Sequence, residues 1–138
     1  MNVSFAQLCD YATISREGKL SVMGMFDQIA SAQVPVVHPL MYLVFQIELN
    51  SAELGKKLKV RIELQSADGA KLGGTDATFR VDGPVRRGTT PKIPQVVPLI
   101  GLQFPTLGGY QFAIWINDDL KKVVGFDLLE LTSAGPKR

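Results

Sequence analysis

Residues 57–65 read Lys-Leu-Lys-Val-Arg-Ile-Glu-Leu-Gln, with an aliphatic residue at every second place and a charged or amide residue between. Side chains alternate sides along a strand. Leu58, Val60, Ile62 and Leu64 therefore share one face, and Lys57, Lys59, Arg61, Glu63 and Gln65 share the other. A strand with one apolar and one wet face belongs to an antiparallel sheet packed on a core, because parallel sheets are buried on both sides. Tyr110–Asn117 repeats the pattern, with Tyr110, Phe112, Ile114 and Ile116 alternating with Gln111, Ala113, Trp115 and Asn117.

Turn residues cut the rest of the chain into similar lengths. Val3–Ile14 and Leu20–Ala30 are joined by a short loop, Ser15–Lys19, whose Gly18 can take a positive φ. A stiff connection, Ser31–Pro39, leads to a strand at Leu40–Asn50, and Ala67-Asp68-Gly69 turns the chain into Ala70–Val81, where Gly73-Gly74 marks a bulge or bend. Gln95–Phe104 carries Pro98 and so belongs at an edge or bulge. Asn117-Asp118-Asp119 closes a last hairpin into Lys121–Leu131, and Ala52–Lys57 has room for one helical turn at most. The expectation is an all-β protein, an antiparallel β-sandwich of about eight strands, immunoglobulin-like or jelly-roll-like. It occupies residues 1–131 as a single domain, followed by a polar tail at 132–138.

Composition narrows the function classes. Fifteen Lys and Arg against thirteen Asp and Glu leave a net charge of +2, too small for a polyanion-attracting field. The start lacks the basic and apolar regions of a signal peptide, and no apolar run approaches a membrane span, so a cytoplasmic protein without membrane contact is expected. With one cysteine, Cys9, and one histidine, His38, neither a disulfide framework nor a zinc ligand set is available. No metal or cofactor is expected.

The candidate chemistry is sparse. Cys9 has Asp10 beside it and His38 far off in sequence, so it reads as a buried structural thiol. His38, before Pro39 in a stiff loop, reads as a backbone-bonded imidazole rather than an acid–base group. Asp10 and Asp27 interrupt apolar strands. A regular hairpin sets Asp10 opposite about Gly24 and Asp27 opposite about Gln7, on opposite faces of the sheet. An enzyme would need a cleft that brings His38 beside Asp10, Asp27 or Cys9, so no catalytic residue is assigned and a non-enzymatic role is expected.

Two places for binding remain. The long segment 82–94 carries Arg86, Arg87 and Lys92, which could hold a phosphate, carboxylate or sugar, with His38 as a further candidate. No aromatic platform accompanies these basic residues, which argues against nucleic acid. Leu40–Phe45 and Val22–Phe26 are apolar on both faces. Either loops cover their outer side, or that side meets another subunit, most simply in a homodimer, or another protein. The candidate contact residues are Met23, Met25, Tyr42 and Val44, with Trp115 on the outer face of its own strand.

Phe5-Ala6-Gln7-Leu8-Cys9-Asp10-Tyr11-Ala12, the run Gly18 to Ile29, and His38-Pro39-Leu40, with the later turn before Tyr110-Gln111-Phe112, form a set that resembles a known family. It is a family of small bacterial proteins known as a domain of unknown function, whose members open with a similar Leu-Cys-Asp-Tyr-Ala hairpin. The resemblance implies a non-secreted, single-domain β-sandwich, and it brings no activity and no functional residue. The expected role is a non-catalytic binding or assembly module acting through an apolar sheet face. The alternative is an anionic-ligand or carbohydrate site at the 82–94 loop.

Overall fold

The computed structural model describes residues 1–81 and 90–131. Nine strands form two sheets. The first sheet orders its strands β2-β1-β4-β7, from β1 (Asn2–Ile14), β2 (Leu20–Phe26), β4 (Val36–Glu48) and β7 (Lys92–Phe104). The second orders β3-β9-β8-β5-β6, from β3 (Gln28–Ser31), β5 (Lys57–Ser66), β6 (Lys71–Arg80), β8 (Gly108–Ile116) and β9 (Asp119–Glu130). A single 3-10 turn at Ser51–Glu53 is the only helical segment among the described residues.

The alternation of β5 sets the core. Leu58, Val60, Ile62 and Leu64 are buried, as are Tyr110, Phe112, Ile114 and Ile116 on the neighbouring β8, where the last three stand opposite Leu64, Ile62 and Val60. The first sheet answers with Leu8, Met41, Leu43, Phe45 and Ile47. At one end Phe104 meets Tyr110 edge-on at 5.1 Å, while Phe126 stacks on Phe112 at 5.5 Å. Such geometry suits ring quadrupoles and adds about 0.5–1.5 kcal/mol per pair to simple area burial. The Tyr110 hydroxyl also donates to the carbonyl of Thr106, four residues upstream, and pins the corner before β8. Asn117 and Asp118 both take positive φ in a two-residue turn between β8 and β9, the mirror-image turn that matches strand twist.

Four expectations change. The single strand at Leu20–Ala30 divides at Asp27: β2 ends at Phe26 in the first sheet, and β3 begins at Gln28 in the second. The all-β sandwich of about eight strands stands as expected, with nine counted for this reason. β3 runs parallel to β9, with Gln28 opposite Asp127, so the sandwich is not wholly antiparallel. The β1–β2 register is the expected one, with Asp10 beside Gly24, and Asp27 falls one place beyond its last pair, Leu8 with Phe26. The Asp27 carbonyl accepts from the Asp127 N–H at 3.0 Å, and the Gln7 side chain donates to the Phe26 carbonyl. β4 begins at Val36, so His38 lies within a strand opposite Leu102 rather than in a loop. β7 begins at Lys92, opposite Glu48, because β4 continues far enough to pair with it.

Other expectations hold. Pro98 lies on an edge strand, β7. The pairing of β5 with β6 shifts register between Leu64 and Gln65, so the bulge falls beside Gly73-Gly74. Among the described residues, no helix is long and apolar enough to cross a membrane.

Candidate functional site

The first sheet carries its unusual feature on the side away from the core. Cross-strand partners share a face, and the register places Met25, Cys9, Tyr42 and Pro98 in one row across all four strands. Neighbouring rows bring Val44 beside Val96 and Leu40 beside Ile100. At the centre of this outward face, Cys9, Ala12 and Val44 form a small buried cluster flanked by Phe5, Leu20, Val22, Tyr42 and Val96. Around it apolar side chains stand in solvent: Ile100 is 74 % exposed, Met23 63 %, Met25 62 % and Tyr11 49 %. Tyr11 packs its ring edge-on against Tyr42, with centroids 5.6 Å apart. From Leu40 to Gln46 and from Pro94 to Ile100, no charged residue points to this side. Glu48, opposite both Asn2 and Lys92, closes one end with a polar row.

Met23, Met25 and Tyr42 therefore lie on one surface. Val44 does not belong with them as a contact residue: it is 0 % exposed, sealed by its own neighbours on β1, β2 and β7. Trp115 lies on the other sheet altogether, opposite Arg61, whose guanidinium covers its ring at 4.4 Å. Sequence reasoning passed over Ile100 and Tyr11, and included Leu40 only as part of the doubly apolar strand Leu40–Phe45. The signal for Ile100 was available, since it stands two places beyond Pro98 on an edge strand.

Cys9 is fully buried, and burial, with a smaller contribution from the Asp10 charge, raises its thiol above the ordinary range despite a backbone hydrogen bond at Tyr11. A raised thiol is a poor nucleophile near neutral pH.

His38 and Lys92 are not brought together. They pair with Leu102 and Glu48 at opposite ends of the β4–β7 ladder, about 30 Å apart at a rise of about 3.3 Å per residue. Arg86 and Arg87 lie outside the described residues, as do the remainder of that segment through Thr89 and the tail 132–138. His38 instead shares an open cleft with Asp10, Gln28 and Met25, in the corner where β2 and β3 part. Asp10 occupies space that a side chain on Gly24 would need. A Cβ there would stand 2.5 Å from an Asp10 carboxylate oxygen, and Gly24 also has a φ of +69°. Asp27 lines a different cleft, with Asp127, Ser66 and Gln111. The two aspartates thus belong to separate sites, and no group of three metal-ligating side chains occurs among the described residues.

One similar solved structure is Pseudomonas fluorescens alkylpurine DNA glycosylase AlkC bound to DNA containing an abasic site analog. The two chains share 12 % identity at a TM-score of 0.41, over 90 % of this chain and 30 % of the glycosylase. This chain therefore spans less than a third of that protein, and a likeness of this grade says nothing of DNA. No curated protein matches the sequence. The match to a family model is far broader, running over residues 4–128, and it places the chain in a family of unknown function, DUF6941, to which this protein belongs.

Proposed function

We propose that this protein is a non-catalytic assembly module that pairs with a second copy of itself through the outward face of the β2-β1-β4-β7 sheet. The observation that carries this reading is the exposure of Met23, Met25, Tyr11 and Ile100 around a sealed Cys9–Val44 centre. Contiguous apolar surface of this kind is uncommon on a monomer and marks an interaction site. The occupant is a second copy because the face lacks like charges that would repel its own image, and its polar row at Asn2, Glu48 and Lys92 offers both signs at the rim.

The dimensions suit it. Four strands at about 4.8 Å spacing and about ten residues at about 3.3 Å rise span about 600 Å² in projection. Side-chain relief raises that toward the roughly 800 Å² per partner of a standard interface.

Light scattering across a dilution series tests the reading. The wild-type chain is expected at twice the chain mass, and Met25→Lys with Leu40→Lys at the monomer mass while still folded. A wild-type monomer at every concentration, or a dimer that the double variant leaves intact, overturns it.

A further inference from the structure

The two sides of the sandwich are closed differently, and one is open. On the β2/β3 side the chain itself passes from sheet to sheet at Asp27. On the other side the edge strands β6 and β7 are not hydrogen-bonded to one another. The register of β5 with β6 sets Phe79, Ala77, Thr75 and Gly73 opposite the core residues Leu58, Val60, Ile62 and Leu64. This row of β6 therefore has a ring only at Phe79, small side chains at Ala77 and Thr75, and a hydrogen atom at Gly73. Beside Gly73, a cleft of about 350 Å³ reaches Ile62, Leu64 and Phe112 in the core, with Leu102 on its far wall. A second compartment of about 110 Å³ continues toward Phe79, sharing Ile62 and Thr75 with the first.

Ordinary packing does not explain Gly73. It is not at a positive φ, and a Cβ built there meets nothing within 4 Å. Neither backbone conformation nor crowding requires glycine, yet interiors normally fill such space. No charged residue lines the larger compartment, and Thr75 is its one residue with a polar side chain. Binding sites for small molecules typically combine about 300–1,000 Å³ of mainly apolar volume with a few placed polar groups. A dry cavity of about 150 Å³ suffices for benzene, so this cleft takes roughly two such rings or an alkyl chain of similar bulk.

We infer that the β6–β7 cleft binds a neutral, hydrocarbon-rich small molecule with one hydrogen-bonding oxygen, which Thr75 meets. This site goes beyond the dimer face, with which it shares only Pro98 and Ile100 at its β7 rim. Methyl-labelled full-length protein, titrated separately with 2-naphthol and 1-octanol, tests it by nuclear magnetic resonance and tells a ring from a chain. Saturable shifts are expected at Ile62, Leu64 and Leu102 with at least one probe.

Gly73→Phe is expected to abolish them while keeping a dispersed spectrum, and Gly73→Leu serves if the larger ring prevents folding. Thr75→Val is expected to weaken the responding hydroxyl probe roughly fivefold, the effect of one hydrogen bond. Met25→Lys leaves binding intact. Absence of saturable shifts with both probes, shifts confined to Met23 and Met25, or full binding in the Gly73 variants overturns the inference.

Discussion

The outward faces of the two sheets are built to opposite rules. On the five-stranded sheet, β5 presents Lys57, Lys59, Arg61, Glu63 and Gln65. These make neighbourly polar contacts: Lys71 to Glu63 at 3.8 Å, Gln111 to Gln65 at 2.7 Å, and Arg61 over Trp115. On the four-stranded sheet the corresponding surface has a sealed apolar centre and an exposed apolar surround. One face is laced by polar and cation–ring contacts along β5, with Leu120 and Val123 exposed beyond them on β9. The other has side chains to spare, which is why the proposed partner is placed there.

Substitutions separate the two faces most sharply at their centres. Val44→Asp places an unpaired carboxylate in a fully buried position, and should lower stability by about 3 kcal/mol or more. Gln111→Asp, half-buried on the opposite face, should change it by less than about 1 kcal/mol. Urea unfolding of both variants measures the contrast, and similar losses would mean that the two faces are alike.

Gly24→Ala comes next, at about 1–3 kcal/mol, because it combines a positive φ with the clash against Asp10. Adding Asp10→Ala should recover the steric part alone. Full recovery would show that the backbone conformation contributes nothing.

Trp115→Ala removes a ring covered by a cation at a partly exposed site. About 0.5–1 kcal/mol from that contact is expected, together with the area it buries, and no change in oligomeric state. A change in mass would move the interface to the other sheet.

The smallest effect is chemical. Cys9, buried with a raised thiol, should resist alkylation at pH 8 in the folded protein and react on unfolding. Fast labelling of the native chain would show the apolar centre to be open.

What the chain discloses in advance follows from which signals are local. The Lys57–Gln65 alternation predicts its burial residue for residue, because one face is wet and parity is unambiguous. Leu40–Phe45 has no such parity. That Val44 is sealed while Leu40 is exposed depends on Phe5, Val22 and Val96, which come from three other strands. The division at Asp27 is hidden for a related reason: each half is a good strand, and only the pairing of β3 with β9 pulls them into different sheets. Gly73-Gly74 was legible as a bulge. The cleft beside it was not, because it arises only when β6 becomes an edge that faces β7.

The passage of the chain from one sheet to the other at Asp27 also bears on how the fold is reached. Its far half finds its partner about a hundred residues later, with Gln28 beside Asp127, whereas the hairpins β1–β2, β5–β6 and β8–β9 close locally. Contacts of such long range bring the largest loss of chain entropy before they return any stabilisation, and they slow folding. The short parallel pair should therefore form late, as the step that locks one preassembled sheet to the other. Until then, the edge of β9 that β3 comes to cover stays open to any other strand.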